Sequence, residues 1–242
     1  MRTAWIIARK ELASFFDSMI AYILRVVFLG VVGFLSWWND GSILAGGQAN
    51  LYVFFVWSYW LLPILVPALA MRTLAEERKT GTLDLLLTKA VTDWQVVFGK
   101  FIACMMLVAA ALLCTLPYWI TIARIGPVDH GSVLSGYLAL LLVAAGYSAI
   151  GIYASSATNN QIVAFLLGLF LCAVFHLLTL VSAGGSVGLV GEVLQFLSTG
   201  SHFDSMSRGV IDSRDLLFFV SLVVLGLSLA EVNLAKRLIR GA

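Results

Sequence analysis

Six apolar runs, each about 20 residues long, leave this chain one solvent in which to fold, because a run of that length spans the ~30 Å hydrocarbon core of a bilayer as a helix. They extend from Met19 to Trp38, Leu51 to Met71, Val96 to Ile122, Val133 to Tyr153, Ile162 to Val181 and Leu216 to Leu234. Inside lipid only a helix or a closed barrel satisfies its own backbone, and runs this long and continuous read as helices. Composition agrees: 61% of the 242 residues are hydrophobic and 12% are charged, whereas a soluble domain needs roughly 25% charged residues. The expected fold is all-α, a polytopic membrane protein with six transmembrane helices in a single transmembrane domain over residues 1–242. An enzyme acting in water is excluded. Pro63 and Pro67 predict a kink or local unwinding in the second span.

Arg2, Arg9 and Lys10 precede the first run. That run exceeds a signal-peptide core in length, and Glu11 and Asp17 interrupt the approach to it, so a retained helix is expected. With the N-terminus in the cytoplasm, 11 basic residues (Arg2, Arg9, Lys10, Arg72, Arg78, Lys79, Lys89, Lys100, Lys236, Arg237, Arg240) fall inside and three (Arg124, Arg208, Arg214) outside, with Arg25 left in the first span. The positive-inside rule then places both termini in the cytoplasm. The net charge of +2 is spread along these rims with no dense basic stripe, so no nucleic-acid partner is expected. Cys104, Cys114 and Cys172 lie within the spans and read as small buried hydrophobes rather than zinc ligands or disulfide partners.

Before the first span, Trp5, Ala8, Leu12, Phe15, Phe16 and Met19 recur at three- and four-residue steps while Arg2, Arg9, Lys10 and Asp17 take other positions. This pattern predicts an amphipathic helix over residues 3–19, serving either as an interfacial anchor or as an elbow that braces the first span. Between spans two and three, Thr73 with Glu76 and Thr92 with Gln95 match capping boxes, and Gly81 marks a break. Leu83, Leu85, Leu86 and Leu87 form an apolar face too short to cross a bilayer, which predicts a short helix lying across the cytoplasmic surface. A leucine cluster beside Glu76, Glu77, Arg78 and Lys79 reads as a docking surface, or as a face resting on the bundle beneath.

The series Met71-Arg72-Thr73, Glu76-Glu77-Arg78-Lys79-Thr80-Gly81-Thr82-Leu83-Asp84-Leu85-Leu86-Leu87-Thr88-Lys89, Asp93-Trp94-Gln95-Val96-Val97 and Gly99-Lys100-Phe101 resembles the cytoplasmic loop of ABC-2 type transporter permeases. The likeness continues in Gln161-Ile162-Val163-Ala164-Phe165, in His202-Phe203-Asp204-Ser205, and from Arg208 through Asp215. That set is similar to the GldF gliding-motility permeases, relatives of the copper-system permease NosY. The resemblance implies a six-span permease subunit of the bacterial inner membrane, with a cytoplasmic coupling helix that engages a separate ABC ATPase. It also implies a second permease subunit, identical or related, and a GldG-like auxiliary membrane subunit. The coupling residues it implies are Glu76, Glu77, Arg78, Lys79, Thr80, Gly81, Thr82, Leu83, Asp84, Leu86 and Leu87.

No G-x-x-x-x-G-K-[ST] phosphate loop occurs, and the only Gly-Lys pair is Gly99-Lys100 ahead of Phe101. ATP and its magnesium are therefore expected on the partner, with no cofactor, metal site or catalytic residue on this chain.

Other residues carry further readings. Arg25 is a functional candidate in a span or a side chain that snorkels to the interface. His176 reads as an interhelical hydrogen-bonding residue. Ser148 with His176 invites comparison with a rhomboid-type intramembrane protease, but Ala149 stands where that motif has glycine. The outer stretch from Ser182 to Arg214 predicts a short helix resting on or dipping into the membrane, with His202, Phe203, Asp204 and Arg208 as gate or cap candidates. A NosY-like copper-linked role is the alternative, although the six methionines are too dispersed to form a soft-metal path.

Overall fold

The computed structural model describes residues 2–38, 43, 50–82, 91–183 and 188–240, and every regular element among them is an α-helix. In chain order these are α1 (Arg2–Asp17), α2 (Met19–Trp38), α3 (Tyr52–Ala70), α4 (Arg72–Lys79), α5 (Asp93–Leu113), α6 (Leu116–Ile125), α7 (His130–Ala157), α8 (Gln161–Ala183), α9 (Leu189–Leu197), α10 (Thr199–Ser207) and α11 (Ser213–Arg240). Six stretches are long and apolar enough to cross a membrane: Ala21–Trp38, Tyr52–Lys79, Asp93–Ile125, His130–Ala157, Gln161–Val181 and Ser213–Lys236. The protein is a multi-pass, all-α membrane protein, and α2 coincides end for end with the first apolar run.

The centre of the bundle is α7. Its apolar window is 67% buried, against 22% for the peripheral α2 and α8, and it touches α3, α4, α5, α8, α10 and α11. Small residues allow this. Lipid supplies no hydrophobic force between helices, so close backbone approach and van der Waals contact hold them together. A Cβ on Gly151 would fall 2.6 Å from the Ala70 Cβ on α3, and one on Gly226 of α11 would fall 2.9 Å from the Ala149 carbonyl carbon of α7.

Two expectations are corrected. No unwinding occurs in the second span: α3 runs through Pro63 and Pro67, and Met71 N–H donates to Pro67 O at 2.8 Å. The break lies instead in the third span, at Cys114 and Thr115. Pro117, at the second position of α6, has no N–H with which to continue the α5 ladder. Thr115 Oγ1 donates to Leu112 O at 2.6 Å and bonds the Tyr137 hydroxyl of α7 at 3.0 Å. Cys114 is exposed at this break, unlike the buried Cys104 and Cys172.

At one end of the bundle lie α1 and α4, and at the other α9 and α10. Helix α9 turns Leu189, Val193 and Phe196 outward, whereas α10 sinks Gly200, His202, Phe203 and Met206 into the bundle against α7 and α8.

Gly226→Val, which forces a side chain into the Ala149 backbone, is expected to cost about 1–3 kcal/mol. Its melting temperature in detergent should fall, while Gly30→Val, with open space around the glycine, should leave melting nearly unchanged.

Candidate functional site

Helix α1 lies along α5. Ala4 and Ala8 are buried, and a Cβ on Gly99 would sit 2.8 Å from Ala4 O and 2.9 Å from Ile7 Cβ. The two helices therefore meet backbone against side chain. Trp5 and Ile6 stay exposed, so α1 braces the bundle with its small-residue face while keeping an apolar flank outward.

The residue after Gly99 is Lys100, about 10 Å along α5 from Asp93, and its side chain is fully buried. Its ammonium lies 3.1 Å from Glu11 Oε2 of α1 and 3.0 Å from Glu77 Oε2 of α4. One cation thus ties together three helices that are remote in sequence. An isolated buried ammonium costs several kcal/mol in desolvation, and only close opposite charges offset it. Burial raises the Glu11 carboxyl above its ordinary value, the Lys100 charge draws it part of the way back, and the Glu77 charge raises it further. Beside this junction is a polar cavity of about 240 Å³ lined by Lys10, Glu11, Ser14, Arg72, Glu76, Glu77, Thr80 and Thr82.

Helix α4 continues span two after a single residue, Met71. Its first-turn donors have no partner within the helix, and α7 supplies one. Ser155 Oγ accepts from Leu74 N–H at 3.1 Å and from Ala75 N–H at 2.9 Å, and donates to Met71 O at 2.9 Å. This displaces the capping box expected at Thr73, whose hydroxyl donates back to Ala70 O at 2.7 Å. Glu76 instead takes a bidentate pair from Arg72, at 2.8 and 3.1 Å. The second expected cap is present: Thr92 Oγ1 accepts from Gln95 N–H ahead of α5. Helix α4 ends at Gly81, whose φ of 72° suits a residue without a Cβ.

At the opposite end, a buried polar layer holds α10 in place. Thr199 Oγ1 bonds the hydroxyls of Tyr59 and Tyr147, each at 3.0 Å. The Tyr147 hydroxyl also meets His176 Nδ1 at 3.3 Å, and Tyr59 stacks between His176 and Phe203. His202 turns the other way, with Nδ1 2.6 Å from Asp215 Oδ1 of α11 and Nε2 2.9 Å from Phe196 O. Both partners are acceptors, so the pair is satisfied only as imidazolium with carboxylate or with the proton on the Asp215 carboxyl. Either arrangement has no net charge.

The profile described as ABC-2 family transporter protein matches residues 5–230. The chain belongs to the ABC-2 transporter family. A comparison with characterised proteins finds no match. The family is one of transporter membrane subunits, which implies a partner ATP-binding cassette protein.

In this ABC-2 protein the expected coupling residues divide into two groups. Glu77 is engaged inward by Lys100, Glu76 pairs with Arg72 along the same helix with its side chain 40% exposed, and Arg78 is partly buried. Lys79, Thr80, Gly81 and Thr82 face outward, with the two threonine hydroxyls bonded to each other at 2.9 Å. Leu83, Asp84, Leu86 and Leu87, together with the short helix expected there, lie outside the described residues. Of the gate or cap candidates, His202 and Phe203 are buried. Asp204 and Arg208 pair with each other near the surface, and Asp204 also accepts from the Tyr52 hydroxyl at 3.3 Å.

Sequence reasoning missed Glu11, Ser155 and Asp215, and counted Lys100 among the basic rim. A lysine inside an apolar run was the available signal for the last. Ser148 and His176 do not form a nucleophile and base pair: His176 Nδ1 is turned to Tyr147, and the Ser148 hydroxyl has no hydrogen-bond partner among the described residues.

Lys100→Met should destabilise the protein by about 3–5 kcal/mol, because it leaves two buried carboxylates uncompensated. Adding Glu11→Gln and Glu77→Gln should restore much of the melting temperature in detergent. A carboxyl whose pKa is raised on folding takes up protons in the folded state first. Its contribution to stability therefore grows as pH falls through the folded pKa towards the unfolded value of about 4.3. Wild type should accordingly gain more in melting temperature than Glu11→Gln on acidification from neutral pH into that window.

Proposed function

We propose that this chain is the membrane-spanning subunit of an ATP-driven ABC-2 transporter, and that the outward tip of α4 together with residues 83–90 docks a cytoplasmic ATPase. One observation carries the reading. Span two extends through α4 as a nearly continuous rod with an exposed end at Lys79, Thr80, Gly81 and Thr82, and the base of that rod is fastened by Ser155 and Lys100 to α7, α5 and α1. A displacement imposed at the tip thus reaches the centre of the bundle through packed and ion-paired contacts. Such a connection is what turns ATPase closure into movement of a membrane bundle.

In this reading the α1 and α4 end faces the cytoplasm, as do both termini, and the membrane is the bacterial inner membrane. The chain acts as a single permease domain, with ATP and magnesium held by the partner. A second permease subunit, identical or related, completes the path. The apolar faces of α2 and α8, less than a quarter buried, supply surface for that subunit or for lipid. At the other end, α10 sits above the path as part of a gate, held by Thr199 and His202. The likeness of residues 202–215 to GldF supports a gliding-motility system with a GldG-like auxiliary subunit, and its kinship with NosY keeps a metalloprotein-maturation role as the second reading. Genes for gliding components or for a copper-binding protein beside this one would separate the two.

The docking test uses surface substitutions, because Glu77 also pairs with Lys100 and its removal would alter the contact between α4 and α5 as well as the docking surface. The tagged chain, purified in mild detergent, should retain an ATP-binding cassette protein. The double variant Lys79→Glu, Thr82→Arg should lower that retention by about tenfold, equivalent to about 1.4 kcal/mol, while melting like wild type. A stable wild-type chain that retains no ATPase would overturn the proposal.

A further inference from the structure

Arg25 stands apart from the other charges of the bundle. It lies six residues into α2, about 9 Å along the axis from Met19, at the same end as α1. Among the described residues it forms no salt bridge or hydrogen bond. Its one specific contact is with the exposed ring of Phe16, whose centroid is 5.6 Å from the guanidinium carbon. Such a contact is worth only about 0.5–2 kcal/mol, and it leaves five N–H donors without acceptors among the described residues.

Arg25 also borders a narrow, partly open cavity of about 50 Å³ between α2, α3 and α5. Leu24 and Phe28 line it from α2, Leu62 and Val66 from α3, and Leu107 and Ala111 from α5; Arg25 is the sole charged lining residue. An apolar cavity of this kind does not hold water. A slender hydrocarbon chain fills it without cost. A guanidinium near the membrane surface pairs best with phosphate, to which it can give two parallel hydrogen bonds.

We propose that this groove is a binding site for an anionic phospholipid, with the phosphate on Arg25 and an acyl chain against Leu62, Val66 and Ala111. The two halves of the site match the two halves of that molecule. An anionic headgroup is favoured over a zwitterionic one because Arg9 and Lys10 of α1 are exposed at the same end and, with Arg25, outnumber the exposed Asp17 beside Phe16, leaving a positive field that a net negative headgroup senses. The site depends on the chain being embedded in a membrane and not on which ATPase or substrate it serves.

Native mass spectrometry of the delipidated full chain, titrated with phosphatidylglycerol or phosphatidylcholine, tests this. One phosphatidylglycerol should be retained per chain, at least about fivefold more tightly than phosphatidylcholine (about 1 kcal/mol). Arg25→Gln should abolish the preference for phosphatidylglycerol, and Arg25→Lys should keep part of it. Ala111→Trp, which fills the groove and leaves the arginine in place, should weaken both lipids, and millimolar inorganic phosphate should not displace the bound lipid. Equal retention of the two lipids by wild type, an unchanged preference in a folded Arg25→Gln variant, or displacement by phosphate alone would each overturn the proposal. Failure here would leave ATPase retention at the α4 tip untouched, so the two proposals fail separately.

Discussion

The end of the bundle that carries α1 and α4 depends on one buried ammonium. Lys100 has no exposed side-chain surface and lies within 3.1 Å of carboxylates from two other helices. Removing the ammonium leaves two carboxylates facing each other in a medium that does not solvate them, whereas removing one carboxylate leaves a pair that ties only two of the three helices. Gly99 contributes by letting α1 approach α5 closely enough for Glu11 to reach the ammonium. A polar triad at this depth is poor as a source of net stability. Its value lies in geometry, since this arrangement of α1, α4 and α5 brings both carboxylates to the one ammonium.

Between the two polar ends the bundle is held by contact rather than charge. Helix α7 supplies that contact through glycine, alanine and serine, and the serines act twice. They permit close approach, and Ser155 also provides the acceptor that the first turn of α4 lacks. At the far end Thr199 and His202 do comparable work for α10, through two tyrosine hydroxyls and an aspartate. The short helices α4 and α10 are therefore anchored by hydrogen bonds from neighbouring spans. This answers the difficulty that short helices face at a membrane surface, where backbone ends must find partners.

The local rules that succeeded here depend on neighbours in sequence. Hydropathy located α2 to the residue, the three- and four-residue spacing before it foretold α1, and Thr92 capped α5 as its spacing with Gln95 predicted. The rules failed where a distant side chain competed. Thr73 lost its capping role to Ser155, 82 positions along the chain. The local unwinding allowed for at Pro63 and Pro67 is absent, and the helix break lies at Thr115, whose hydroxyl also bonds Tyr137 of α7. Lys100 read as part of a basic rim because nothing adjacent in sequence shows that Glu11 and Glu77 converge on it. The family resemblance carried in residues 71–101 agrees with the profile match over residues 5–230.

The sequence alone determined the solvent, the number of spans and the helical class, because a bilayer constrains every stretch of chain by length and polarity, and both are local quantities. Only the tertiary structure decided which charges are buried together, which serine caps which helix, and which part of the α4 segment is free to meet a partner. Those outcomes turn on distances of about 3 Å between groups far apart along the chain. At that range desolvation and pairing nearly cancel, and geometry alone sets the balance.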